Sequence, residues 1–182
     1  MATSSATSTA AAATTEALPS VPPSDGVAPL PASPPVRIRI PAIGVDSGLM
    51  DLGLDGAGSL EVPPDGFPAG WYTGAPTPGS LGPAIIAGHV DWAGSPGVFY
   101  SLRDLVAGDD ITVDRADGTA ARFRVESVQQ FPKDAFPTDQ VYADIDHAGL
   151  RLITCGGSFD RAARSYRDNI VVFADLAGVG PA

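Results

Sequence analysis

"LRLITCGGSFD", Leu150–Asp160, carries the only cysteine of the chain. Alternation puts Leu150, Leu152 and Thr154 on one face and Arg151, Ile153 and Cys155 on the other. The stretch therefore reads as a buried strand that ends at a thiol. Gly156 and Gly157 follow at once, leaving room for a substrate backbone to come close. An exposed amide there would help to bind an oxyanion. Free cysteine is commonly a quiet core residue. It becomes a nucleophile only as thiolate, which needs a positive neighbour.

Working outward, the chain is rich in short strands. "VRIRIPAIGV" alternates Val36, Ile38 and Ile40 with Arg37 and Arg39 and then meets Pro41, a half-buried strand stopped by proline. "GPAIIAGHV" is a short apolar run of the buried-strand kind. "DDITVDRADGTAARFRVESVQQF", Asp109–Phe131, gives two strands about Asp117-Gly118, a hairpin signal. "GLRLITC" and "DNIVVFADL" add two late strands, and a short extended piece is expected at Leu60–Val62. Val98, Phe99, Leu102 and Leu105 are spaced helically after Pro96, which predicts one short helix. Strands at this spacing, with no long helical pattern, point to an all-β closed barrel or a sandwich.

The first 35 residues are mostly Ala, Ser, Thr and Pro with only Glu16 and Asp25 charged, and no aromatic residue precedes Phe67. Such a segment buries too little surface to offset its ordering entropy. Residues 1–35 are read as a disordered spacer and 36–182 as one folded domain. The net charge of −10 argues against a nucleic-acid partner and against polybasic docking on a membrane. One cysteine allows neither an internal disulfide nor a multi-cysteine zinc site, and no metal or other cofactor is expected. The chain has no apolar run long enough to span a bilayer and no basic n-region of a signal peptide.

Cations follow Cys155 closely: Arg161, Arg164 and Arg167, in a chain whose only lysine is Lys133. A guanidinium suits a developing oxyanion. Arg167 leads directly into "DNIVVFA" and is preferred over Arg164, while Arg161 reads as a solvated loop charge. Of the two histidines, His147 sits in the polar turn "ADIDHAG" and reads as a surface residue. His89 ends a strand after Gly88, where a barrel would deliver it to a rim, as it would Cys155.

"GHVD" (Gly88–Asp91), "LITC" (Leu152–Cys155) and Arg167, twelve residues beyond the cysteine, together resemble the sortases. These are the cysteine transpeptidases of Gram-positive cell surfaces. "TCGGSFD…SYRDNIVVFA" is most similar to the actinobacterial class F forms, with class E as near neighbour. Arg151 departs from the commonest T-L-x-T-C pattern, where threonine is usual. The resemblance covers roughly residues 36–176 and implies an eight-stranded β-barrel with one or two short helices. It places His89, Cys155 and Arg167 at one rim as the catalytic set. It implies cleavage of an LPXTG-like sorting signal between Thr and Gly through a thioacyl-enzyme. The protein partners are surface proteins bearing that signal, and the acceptor is an amine of a peptidoglycan precursor or a pilin lysine. It also implies a cell-surface enzyme, held to the membrane by an anchor outside this chain. On this reading Thr154 supports the nucleophile, Gly156 admits the substrate backbone, and Asp91 and Trp92 line the substrate groove. "FPKDAFPTDQVYAD", Phe131–Asp144, walls it. "LPASP", Leu30–Pro34, and "LPSVP", Leu18–Pro22, loosely mimic a sorting signal and are expected to visit the groove only if the tail regulates it.

Two other readings remain open to the sequence. An L,D-transpeptidase also orders His before Cys in a β-rich domain, but S-H-G-C is expected around its nucleophile and "LITCGG" does not match. Papain-like wall peptidases place Cys before His, the reverse of this chain. A secreted non-catalytic β-domain would carry an unreactive Cys155 far from His89.

Overall fold

The hairpin expected about Asp117-Gly118 is the backbone of the fold. The computed structural model describes residues 27–182. In it β7 (Asp110–Arg115) and β8 (Thr119–Pro132) pair antiparallel across that turn. Gly118 adopts φ +81°, and Asp117 accepts from the amide and hydroxyl of Thr119 at 2.9 and 2.6 Å. A left-handed glycine and a short acceptor side chain are what such a turn requires.

The preceding strands are β1 (Pro35–Ile40), β2 (Val45–Leu52), β3 (Ala69–Tyr72), β4 (Gly82–Ala87) and a two-residue pair, β5 (Asp91–Trp92) with β6 (Ser95–Pro96). The last two are β9 (Ala148–Asp160) and β10 (Ser165–Pro181). Eight of the strands close a barrel in the order β1-β2-β3-β4-β9-β10-β8-β7, sealed by pairing of β1 with β7. Most neighbours are antiparallel, but β2–β3 and β4–β9 are parallel. Closure leaves the barrel no open edge.

Inside the barrel Ile38, Ile40, Ala84, Ile86, Leu150, Leu152, Val172 and Phe123 form the core. A second apolar cluster lies on the outer face, where Ile85, Ile153, Val171 and Phe173 meet Val141 of a short helix, α1 (Thr138–Tyr142). This two-sided burial explains why "AIIA", "LRLIT" and "IVVFA" read as near-continuous apolar runs. Arg151 is buried in the same layer over the ring of Phe173, 4.7 Å from its centroid. Burial lowers its pKa from the ordinary guanidinium value.

Four local expectations need correction. Val36 is exposed, because a bulge between Pro35 and Arg37 inserts it as an extra residue and lets Pro35 take the buried place. The helix expected near Val98–Leu105 is a chain of i→i+3 turns, with a 3-10 turn at Leu102–Asp104. Its four apolar residues are all buried, so the spacing was met by tighter turns without a capping side chain. The α-helix falls instead inside the Phe131–Asp144 loop. Finally, β9 does not stop at Cys155 but runs on to Asp160, paired with β10, since Gly157 at φ +71° absorbs the irregularity.

Residues 27–34, inside the segment read as spacer, lie along the barrel. The Leu30 amide bonds to the Gly79 carbonyl at 2.7 Å, the Ser33 amide to the Thr77 hydroxyl at 3.0 Å, and Arg115 to the Pro31 carbonyl. Val27 and Leu30 add to the core, so the few apolar side chains of this stretch dock it. Leu18–Pro22 and the rest of residues 1–26 lie outside the described residues.

Candidate active site

Parallel pairing of β4 with β9 builds the site. The register aligns Ala87 with Ile153, and the Gly88 amide continues it with a 3.1 Å bond to the Ile153 carbonyl. Two residues further along each chain stand His89 and Cys155, which both border one groove. Thr154 is buried and donates its hydroxyl to the Gly88 carbonyl at 2.8 Å.

The backbone of His89 is pinned. Phe99 donates to its carbonyl at 2.9 Å, and Gly97 packs so tightly on it that a Cβ would overlap the His89 carbonyl. Gly88 is equally confined, since a Cβ there would meet the Phe99 ring at 2.7 Å. The imidazole Nε2 bonds to the Pro63 carbonyl at 2.7 Å. A carbonyl only accepts, so Nε2 carries the proton and Nδ1 of the neutral ring keeps its lone pair. Trp92 lies against the ring, centroids 4.8 Å apart.

Cys155 is half-buried and free. It faces two hollows at once. The larger is a groove of about 960 Å³, floored by Ile85 and Ile153 of the outer apolar cluster. Leu60, Glu61 and Val62 line it, with Phe136 and Tyr142 from the loop around α1, and His89 and Cys155 border it. The smaller, about 150 Å³, lies beyond the thiol and is lined by Tyr100, Arg103, Gln130 and Gly156. Lys133 Nζ reaches Cys155 Sγ at 3.5 Å and Ser165 Oγ at 3.0 Å.

Gly156 is buried where a Cβ would lie 2.6 Å from Ile170, so packing alone demands a glycine. Asp91 accepts from the Tyr166 hydroxyl at 2.8 Å, the main cause of the raised Tyr166 pKa. Asp91 and Trp92 stand behind His89 and line neither hollow. Arg167 also lines neither. It occupies the irregular step between Tyr166 and Asp168, is 66% exposed, and donates to Asp160 at 3.2 Å. Arg161 and Arg164 are exposed as well, Arg164 with φ 51°. Leu30–Pro34 does not enter the groove. His147 is a surface residue, bonded to Asp146 and Asp175 at 2.9 and 3.1 Å.

Sequence reasoning missed Lys133, Glu61 and Tyr72 as neighbours of the site. A signal for Lys133 was present: it is the only lysine, in the loop expected to wall the groove. Among the described residues no group of three or more His, Cys, Asp or Glu could hold a metal ion. Nor is any helix there long and apolar enough to cross a membrane.

A closed barrel that brings a free thiol and an imidazole to the border of one apolar groove suits cysteine acyl-transfer chemistry. The chain belongs to the sortase family: the Sortase domain model matches residues 38–177. It is thus a cysteine transpeptidase. Among curated proteins no significant match is found. Solved structures with the same fold include a lid mutant of sortase A from Corynebacterium diphtheriae, with 21% identity over 84% of this chain and 74% of that one, TM-score 0.61. A sortase D5 transpeptidase from Clostridium perfringens shares 21% identity over 80% and 79% of the two chains, TM-score 0.58. Sortase C1 from Streptococcus agalactiae shares 18% over 79% and 67%, TM-score 0.60.

Proposed function

We propose that this transpeptidase cleaves an LPXTG-like sorting signal between Thr and Gly and transfers the new carboxyl end to an amine. The observation that supports the reading is that His89 and Cys155, each just past the paired strands β4 and β9, both border the apolar groove. An extended peptide with Leu-Pro at its start suits a floor of Ile85 and Ile153, because such a groove rewards apolar burial.

The Cys155 thiol passes its proton to Nδ1 of His89, and the thiolate attacks the Thr carbonyl carbon to form a tetrahedral oxyanion. As the C–N bond to Gly breaks, His89 gives its proton to the leaving amine and the thioacyl-enzyme remains. An incoming amine, losing its proton to His89, attacks the thioester and releases the thiolate. Nδ1 is the nitrogen available for this traffic while Nε2 is held by Pro63. Arg167 stabilises the oxyanion after leaving Asp160, an exposed pair that costs little to break.

The donors are surface proteins bearing the signal, and the acceptor is a peptidoglycan precursor or a pilin lysine. The enzyme works at the cell surface, held to the membrane outside the described domain. "TCGGSFD" and "SYRDNIVVFA" favour class F within the family.

The test is mass spectrometry of the chain with an LPXTG-type peptide and an amine acceptor, beside Cys155→Ala. Product cut after Thr and joined to the amine, seen only with Cys155, is expected. No cleavage across several signal variants would overturn the substrate reading.

A further inference from the structure

We propose that Lys133, rather than one of the arginines after the cysteine, is the cation that holds Cys155 in its reactive anionic form before substrate arrives. The inference rests on the cysteine chemistry proposed above and adds a catalytic residue to it.

A thiol at the ordinary cysteine pKa is only a few per cent thiolate near neutrality, so a nearby positive charge is needed. Lys133 supplies one in bonding contact, with Nζ 3.5 Å from Sγ. The guanidiniums that follow Cys155 in the chain, Arg161, Arg164 and Arg167, line neither hollow at the thiol, and Arg167 is turned to Asp160.

The fold accounts for the placement. β10 lies between β8 and β9, and Phe131, Asn169 and Cys155 stand abreast across the three strands. Two residues past Phe131, at the end of β8, the chain turns at Lys133. Its side chain crosses β10 to the thiol. On the way the ammonium is held by Ser165 Oγ at 3.0 Å, on the first residue of β10. The contact is thus supported by two strands rather than by a free loop end.

The other charged or titratable side chains around the thiol are His89, Glu61, Asp144, Tyr72 and Tyr142 in the groove, Arg103 and Tyr100 in the small hollow, and Tyr166, which feels the charge of Cys155. His89 Nε2 is committed to Pro63. Lys133 makes and breaks no covalent bond. The thiol proton passes to Nδ1 of His89, and the ammonium keeps its three protons. On acylation the sulfur loses its negative charge and the ammonium keeps its bond to Ser165.

The experiment measures the rate of Cys155 alkylation by iodoacetamide against pH, using intact mass on the full chain. Lys133→Met is expected to slow alkylation near neutrality on the order of tenfold. Lys133→Arg keeps most of the wild-type profile. Ser165→Ala, which leaves the charge but removes its holder, shifts the profile in the same direction by less. Arg161→Ala, which removes a remote charge, leaves it unchanged. A Lys133→Met profile that overlays the wild type overturns the proposal. So does an equal shift in Arg161→Ala, which would assign the effect to net charge. The readout needs no peptide. A Lys133-dependent profile without peptide transfer would sink the substrate reading alone. Transfer with a Lys133-independent profile would sink the role of Lys133 alone.

Discussion

The hydroxyl of Thr154 donates to the carbonyl of Gly88 at 2.8 Å, tying the residue before the nucleophile to the residue before the histidine. The bond is buried, so removing the donor leaves a carbonyl unsatisfied, at a cost of about 1–3 kcal/mol. Thr154→Val is expected to lower Tm by roughly 2–4 °C per kcal/mol lost. It should also cut kcat more than KM is changed, because the two reacting side chains lose their common brace. Thr154→Ser should restore both. Wild-type kcat in Thr154→Val would show that the strand pairing alone sets the distance.

Gly97 is where a single methyl should act on His89. A Cβ would overlap the His89 carbonyl, and backbone cannot swing aside as a flexible side chain does. Gly97→Ala is expected to displace the histidine and to reduce peptide transfer by about two orders of magnitude, the usual cost of misplacing a catalytic group by about 1 Å. Cys155 alkylation measured on the same protein should change far less. Parallel loss of both activities would mean that the loop, not the histidine, had collapsed.

Arg167 and Asp160 offer a test of the expected oxyanion residue. If Arg167 leaves its carboxylate partner during the reaction, Arg167→Ala should lower kcat about 10²–10³-fold, the range for loss of one oxyanion donor. Arg167→Lys should recover only part, since an ammonium lacks the planar fork. Transfer at the wild-type rate in Arg167→Ala would leave Arg167 as the surface ion pair seen here.

His147 predicts a pH dependence of stability unconnected with catalysis. Its bond to Asp146, helped by Asp175, raises its pKa against an opposing effect of partial burial. A histidine with a raised folded pKa contributes fully below its unfolded value near 6.5, and the contribution is lost as pH rises through the folded value. The ring is 46% exposed, so the effect is held by solvent to less than about 1 kcal/mol. The Tm difference between wild type and His147→Gln should therefore be largest near pH 5.5–6 and vanish by about pH 9. A difference constant across that range would exclude a charged His147 as its source.

The strands were legible because their causes are local. Alternation at Ile38 and Ile40, proline at 41, and Asp117-Gly118 between two apolar stretches each act within a few residues. Cys155 and His89 were legible for the same reason, since each follows a buried strand and adjoins a glycine. Val36 was misread because the bulge that exposes it depends on β7, many residues away. The helix expected at Val98–Leu105 gave way to tighter turns because four core contacts, not helix propensity, fixed that segment.

By itself, then, the sequence determined where strands begin and turn, and which residue types could carry thiol chemistry. Tertiary structure decided which of them meet. The parallel pairing of β4 with β9 aligns two residues separated by most of the barrel, and no local pattern encodes that register. Which cation rests against the thiol is of the same kind. Chain proximity favoured the arginine, but an irregular step in β10 turns it to Asp160, while the neighbouring strand brings the lysine across to the sulfur. Electrostatic influence depends on distance through space, and only the closed barrel sets that distance.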